Sequence, residues 1–143
     1  MRLHDIICVH ADNDSLYEIS FDGRTPPANV IECEAYRQID EYLDGKRKDF
    51  DIPLKLCGTE FQLSVWKALC EIPYGNTASY IDIAKRIGKP TAQRAVGMAN
   101  NKNRIPIIIP CHRVIFADGS IGGYSCGTDI KRKLLEIERK NSH

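Results

Sequence analysis

The sequence has no apolar run approaching the ~20 residues that carry a helix across a bilayer, and charges interrupt the short apolar stretch between Met1 and Asp12. Neither a membrane-spanning protein nor a secretory leader is expected. Internal repeats and low-complexity tracts are missing too, which sets aside solenoids and disordered arrays. Six cysteines stand at positions 8, 33, 57, 70, 111 and 126 without a CxxC pair among them. With no export signal, that pattern predicts free thiols in a reducing compartment: cytoplasmic, or nuclear in a cell that has a nucleus. His4, Cys8, His10 and Cys33 are the nearest approach to a ligand set. Their spacing fits no zinc motif, so neither a metal nor a cofactor is expected. Acid is absent from one stretch in particular: Lys85 to Arg113 holds seven Lys or Arg and no Asp or Glu.

What is present suffices for one domain or two small lobes. At 143 residues, 43% hydrophobic and 27% charged, the chain can bury a core. The net charge of +1 hides a polarity: residues 1–55 carry 12 acidic and 7 basic side chains, residues 56–143 carry 7 and 13. A one-sign basic stretch suits a phosphate-facing surface, although alone it is equally a solvated face.

The spacing predicts an α+β fold in two lobes, residues 1–55 and 56–143. Leu3–His10 and Ser15–Phe21 alternate as strands around the turn Asp12-Asn13-Asp14, a hairpin pattern. Asn29 is placed to cap a helix to about Leu43, with Val30, Cys33, Tyr36, Ile39 and Leu43 on one stripe. Phe50–Leu54 adds a third strand. The second lobe is mainly helical. Thr59 and Gln62 have capping-box spacing before the stripe Phe61, Val65, Trp66 and Leu69. Thr77 or Ser79 caps a helix with Tyr80, Ile83, Ala84 and Ile87 on one face. After the break at Gly88-Lys89-Pro90, Thr91 caps a third helix to about Asn101, which makes a helix-turn-helix within the acid-free stretch. A last helix runs from Asp129 to about Lys140, with Ile130, Leu134 and Ile137 inward.

The chemistry concentrates at Pro110-Cys111-His112-Arg113-Val114, after the buried run Ile107-Ile108-Ile109. A thiolate is a strong nucleophile and an imidazole can take its proton, though a Cys-His dipeptide alone also reads as a core thiol beside a surface histidine. Together with Arg94-Ala95-Val96-Gly97, Asn103, Pro106, Gly122-Gly123-Tyr124 and Gly58-Thr59-Glu60-Phe61-Gln62, the motif resembles the O6-alkylguanine-DNA alkyltransferases, also called methylated-DNA–protein-cysteine methyltransferases. The resemblance runs from about Gly58 to Glu138.

The resemblance implies direct-reversal DNA repair without a cofactor: a monomer binds double-stranded DNA, flips the damaged nucleotide out, and moves the alkyl group from O6 of guanine to Cys111 irreversibly. O4 of thymine is left open as a second target. His112 would act through a water as the base, held by Glu138, with Asn103 shaping the turn. Tyr80 would help to neutralise the departing base. Arg94 would enter the DNA stack from a helix whose start, Thr91, Ala92, Gln93 and Ala95, approaches the minor groove. Tyr124 would wall the pocket, and the Val114 carbonyl and the Ser125 region would read the guanine edge. The first lobe would be a trimmed ribonuclease-H-like scaffold. Arg104 replaces a proline common in the family, and Cys126 borders the expected pocket. Two other readings stay open: a lesion-binding relative that recruits repair factors without transfer, and a thiol hydrolase built on Cys111, His112 and Glu138, for which no oxyanion hole is evident.

Overall fold

The computed structural model describes residues 2–122 and 127–142. Tyr124, Ser125 and Cys126 lie outside them. The chain divides into two units, Met1–Leu56 and Cys57–His143.

The first unit begins with one helical turn, α1 (Leu3–Ile6), then a hairpin of β1 (Cys8–Ala11) and β2 (Leu16–Ser20). Asp12 closes the hairpin by accepting from the amides of Asp14 and Ser15, both at 2.8 Å. Leu3–Ile6 was expected to extend β1. The register runs Cys8↔Ser20 to Ala11↔Leu16, so β2 supplies no partner before Cys8. Leu3 and Ile7, four residues apart, instead bury together as a turn. Helix α2 (Val30–Leu43) starts on Asn29, whose side chain accepts from the Glu32 amide. Its buried face is Ala35, Tyr36, Ile39, Tyr42 and Leu43, whereas Val30 and Cys33, expected on the stripe, are exposed. The start of the helix meets the hairpin through Asn29 and Glu32, which bond Ala11, and not through these two. The expected strand at Phe50–Leu54 reduces to a single parallel bridge, Leu16↔Leu54. Pro53 has no N–H for a ladder, and only its carbonyl is used, by the Leu16 amide at 2.8 Å. Of the sequence-selected metal ligands, His4 pairs with Asp44 at 2.9 Å. Cys8 and His10 come together with Asp22, their donor atoms within 4.8 Å of one another.

The second unit holds α3 (Glu60–Cys70), α4 (Tyr80–Arg86), α5 (Gln93–Asn101) and α6 (Thr128–Lys140). Full capping boxes open α3 (Thr59 with Gln62) and α4 (Ser79 with Asp82). Val65, Trp66, Leu69, Ile83, Ala84, Val96 and Ala99 form the core where α3, α4 and α5 pack. The Trp66 indole donates to the Ala99 carbonyl at 2.9 Å. Thr91 does not cap α5. The Ala92 amide returns to the Lys89 carbonyl, so a turn holds Thr91 and the helix begins one residue later, without a side-chain cap. Two short strands missed by hydrophobic alternation, β3 (Ala78–Ser79) and β4 (Val114–Ile115), pair in parallel. This ladder sets the start of α4, and with it Tyr80, beside the segment that follows Cys111. Among the described residues no helix is long and apolar enough to cross a membrane.

Candidate active site

A pinned loop delivers the cysteine. Ile105, Ile107 and Ile109 are buried, and Ile107 has φ 75, a left-handed conformation rare for a β-branched residue. Asn103 holds the loop from both ends: its Oδ1 accepts from the Ile105 amide at 3.0 Å and its Nδ2 donates to the Ile109 carbonyl at 2.8 Å. The Cys111 amide donates to the same Ile109 carbonyl at 2.8 Å. Cys111, His112 and Arg113 then form one 3-10 turn, all three buried. Local strain held by surrounding bonds is characteristic of functional loops.

Behind the thiol stands a buried charge cluster. His112 is fully enclosed, and its Nε2 meets Glu138 Oε2 at 2.6 Å. Arg113 donates to both carboxylate oxygens, Nε to Oε1 at 2.8 Å and Nη2 to Oε2 at 3.0 Å, and its Nη1 donates to the Ile72 carbonyl at 2.7 Å. The Gly75 amide adds a bond to Glu138 Oε1 at 3.2 Å. Gly75 has φ 83, and a β-carbon there would stand 2.4 Å from that of Ser142, so only glycine lets the turn reach the carboxylate. Burial pushes the Glu138 carboxyl up, but bonds from His112 and Arg113 outweigh it and hold the group down at about 2. Burial lowers His112 from its ordinary 6.5, against the pull of Glu138. The result is a neutral imidazole on an ionised carboxylate. With Nε2 committed to Glu138, a proton taken from the thiol would enter the ring at Nδ1.

Three further groups frame the cysteine. Lys131 is fully buried and donates to the Val114 carbonyl at 2.7 Å. Burial lowers its ammonium from 10.5 to about 8, opposed by the charge of Cys111. The Val114 carbonyl, expected to read guanine, therefore already serves one cation with one of its two lone pairs. Tyr80 is buried, its hydroxyl pushed up by burial and by the charge of Cys111. Its ring tilts against Phe116 at 5.4 Å. Asn100, on the last turn of α5, donates to the Cys111 carbonyl at 3.4 Å.

Tyr80 and Phe116 wall a groove of about 570 Å³ whose other lining residues are Thr91, Gln93, Arg94, Gly97 and Asn101. Arg94, Thr91, Gln93 and Ala95 are exposed and Ala92 is half-buried. The structure therefore gathers Cys111, His112, Glu138, Asn103, Tyr80 and Val114 at one place and sets Arg94 on the open face. Residue reasoning missed Arg113 as a second clamp on Glu138, and it missed Lys131, Asn100 and Phe116. The available signal for Lys131 and Glu138 was spacing: residues 131, 134 and 138 share one face of α6 with Leu134.

Residues 60–140 match the family model described as 6-O-methylguanine DNA methyltransferase, DNA binding domain. A methylated-DNA–protein-cysteine methyltransferase of Methanosarcina barkeri is 60% identical over 120 residues, spanning 80% of this chain and 76% of that protein. The crystal structure of Mycobacterium tuberculosis OGT in complex with DNA is similar with a TM-score of 0.87 at 41% identity, over 94% of this chain and 87% of that one. Schizosaccharomyces pombe Atl1, solved with damaged DNA containing O6-carboxymethylguanine, is similar over less: TM-score 0.52 and 36% identity, over 58% of this chain and 79% of that one.

Proposed function

The chain belongs to the 6-O-methylguanine DNA methyltransferase family, and from that membership we propose how its own residues carry out the reaction. The protein repairs DNA by direct reversal, moving an alkyl group from O6 of guanine in the duplex to a cysteine of its own. Cys111 is that cysteine. Its proton passes by way of a water to His112 Nδ1, and Glu138 steadies the imidazolium that results. Arg113 keeps Glu138 ionised and oriented, so the carboxylate cannot take the proton itself. The thiolate then attacks the alkyl carbon in line. A sulfur–carbon bond forms as the bond from carbon to O6 breaks, and the electron pair leaves with guanine, which is reprotonated as it departs. Tyr80 donates toward that developing charge. The product is a thioether, too stable to turn over, so each molecule acts once.

Flipping is required because a buried thiol cannot reach O6 inside the stack. Arg94 fills the vacated position, and the start of α5, from Thr91 to Ala95, approaches the minor groove. Tyr124 and Ser125 are assigned to the lesion pocket on the family resemblance alone. The archaeal and bacterial origin of the Methanosarcina barkeri and Mycobacterium tuberculosis relatives supports a cytoplasmic location.

The observation that carries this reading is the buried His112–Glu138–Arg113 cluster directly behind Cys111. Incubation with a duplex carrying one O6-methylguanine, followed by intact mass measurement, tests it. One methyl should be gained per chain by the wild type and none by Cys111→Ala. Tight lesion binding with no gain would instead favour a lesion-binding role without transfer, the alternative to which the similarity with Atl1 points.

A further inference from the structure

The hairpin of the first unit gathers donors that sequence spacing keeps apart. Cys8 and His10 stand two residues apart on β1, and Cys8 faces Ser20 across the ladder. Side chains two apart on a strand share a face, as do directly opposed ones, so these three lie on one side of the hairpin. Just past β2 the chain turns back: the Gly23 amide donates to the Ile6 carbonyl and the Arg24 amide to the Asp5 carbonyl, both at 3.0 Å. The turn brings Asp22 to the same side. The Cys8 sulfur, a His10 ring nitrogen and an Asp22 carboxylate oxygen lie within 4.8 Å of one another. Ser20 stands among them, its hydroxyl donating to Asp22 Oδ1 at 2.6 Å and lying 3.0 Å from His10 Nε2.

The surroundings of the sulfur go beyond proximity. The Tyr36 hydroxyl accepts from the Val9 and Thr25 amides at 3.4 and 3.3 Å. That takes both its lone pairs, so its one proton turns to the Cys8 sulfur at 3.8 Å. Thr25 Oγ1 lies 3.2 Å from the same sulfur. Such outer contacts orient and stabilise a metal-bound thiolate. Burial is graded as well: Cys8 is 3% exposed, His10 half-buried and Asp22 open to solvent, an anchored ligand with an entry path beside it.

We propose that Cys8, His10 and Asp22 bind one zinc ion, with water as the fourth ligand. A thiolate, an imidazole and a carboxylate suit zinc, whereas magnesium and calcium take oxygen ligands. On binding, the Cys8 S–H bond breaks and its proton goes to solvent. The His10 proton sits on Nδ1, and the Nε2 lone pair exchanges Ser20 for the metal. Tetrahedral bonds of about 2.0–2.3 Å require the set to contract by about 1 Å, which the exposed Asp22 side chain can supply. The ion ties both strands and the turn after them, a staple for a unit confined to Met1–Leu56 and its small core.

Titration of the chelator-treated full chain with Zn²⁺, and with Co²⁺ as a spectroscopic stand-in, tests this. One equivalent should bind per chain, cobalt should give a near-ultraviolet thiolate charge-transfer band, and zinc should raise the denaturant midpoint. Cys111→Ala should bind as the wild type does. His10→Asn and Asp22→Asn should each weaken zinc at least about tenfold, and Cys8→Ser should abolish the band. Asp22 is exposed, so its variant keeps the fold and reads the site if Cys8→Ser does not fold. No bound equivalent, zinc affinity unchanged in His10→Asn and Asp22→Asn, or binding lost in Cys111→Ala would each overturn the proposal.

Discussion

Two glutamates, one in each unit, are buried on helices and do opposite work. Glu32 on α2 is 8% exposed and answers backbone: its Oε2 accepts from the Ala11 amide and its Oε1 from the Ala28 amide, both at 2.9 Å. Glu138 on α6 is 1% exposed and answers mainly ionisable side chains, His112 and Arg113, with the Gly75 amide as its one backbone donor. Both satisfy the rule that a buried carboxylate must be hydrogen-bonded. Burial therefore does not distinguish a structural carboxylate from a functional one; the identity of the donors does. Amides fix a loop, and nothing about them changes during a reaction. An imidazole beside a thiol changes charge, and the carboxylate behind it feels the change.

The sharpest way to break this contrast is to neutralise each carboxylate in turn. Glu138→Gln should slow methyl transfer by about 10²–10⁴, the usual worth of a supported base. It should also destabilise the fold by about 3–5 kcal/mol, because Arg113 keeps its charge without a partner. Glu32→Gln should cost only about 1–3 kcal/mol for imperfectly met amides and leave the transfer rate within a factor of about two. Single-turnover kinetics and denaturant melts read both. A rate loss in Glu32→Gln matching that in Glu138→Gln would erase the distinction.

Acid sharpens the contrast next. Glu138 is held at about 2 against an ordinary 4.5, so the stability it contributes is present above about pH 4.5 and lost as pH falls toward 2. His112 sits below 6.5, so the folded chain binds its proton later than the unfolded chain does. Stability therefore also falls as pH drops below that value, and transfer should persist below it before failing. In Glu138→Gln the carboxylate no longer opposes burial, so the acid limb of the rate profile should move further down. Glu32→Gln should leave the limb where it is. A limb at the ordinary histidine value in the wild type would contradict the burial of the ring.

Smaller effects test the supports. Gly75→Ala combines a left-handed backbone with a collision at Ser142 and should cost about 1–3 kcal/mol. It should also slow transfer modestly, because the Gly75 amide touches Glu138. Arg94→Ala should leave stability within about 0.5 kcal/mol, since the residue is exposed, and should slow transfer even at saturating DNA, because nothing then fills the position the flipped nucleotide vacates.

Local signals in the sequence were read well and long-range ones poorly. Asn29, Thr59 with Gln62, and Thr77 or Ser79 announce helix starts through chemistry confined to a few residues, and the structure places caps on Asn29, Thr59 and, of the last two, Ser79. Thr91 carries the same signal, but the turn closed by Lys89 and Ala92 decides where α5 begins. Leu3–Ile6 alternates like a strand and becomes a turn because β2 ends too soon to pair with it. At the site, Cys111 and His112 are legible as neighbours. The family resemblance brought in Glu138, which by itself reads as a solvated charge near a helix end. Its burial follows from the face it shares with Leu134, a face that also encloses Lys131, while Ile137, expected inward, is only half-buried. Apolar periodicity cannot announce charged residues on a buried face. Arg113 and Asn100 were missed for a related reason: their partners, Glu138 and the Cys111 carbonyl, lie 25 and 11 residues away.

The central claim is that a methyl group lands on Cys111 and that its arrival depends on the carboxylate behind His112. The most direct measurement uses a duplex whose O6-methylguanine carries a deuterated methyl, with peptide mass mapping of wild type, Glu138→Gln and Glu32→Gln quenched at matched early times. The label should appear on the Cys111 peptide alone, at most once per chain, nearly complete in wild type and Glu32→Gln and scarce in Glu138→Gln. Label on another cysteine, or equal labelling in all three proteins, would contradict the account.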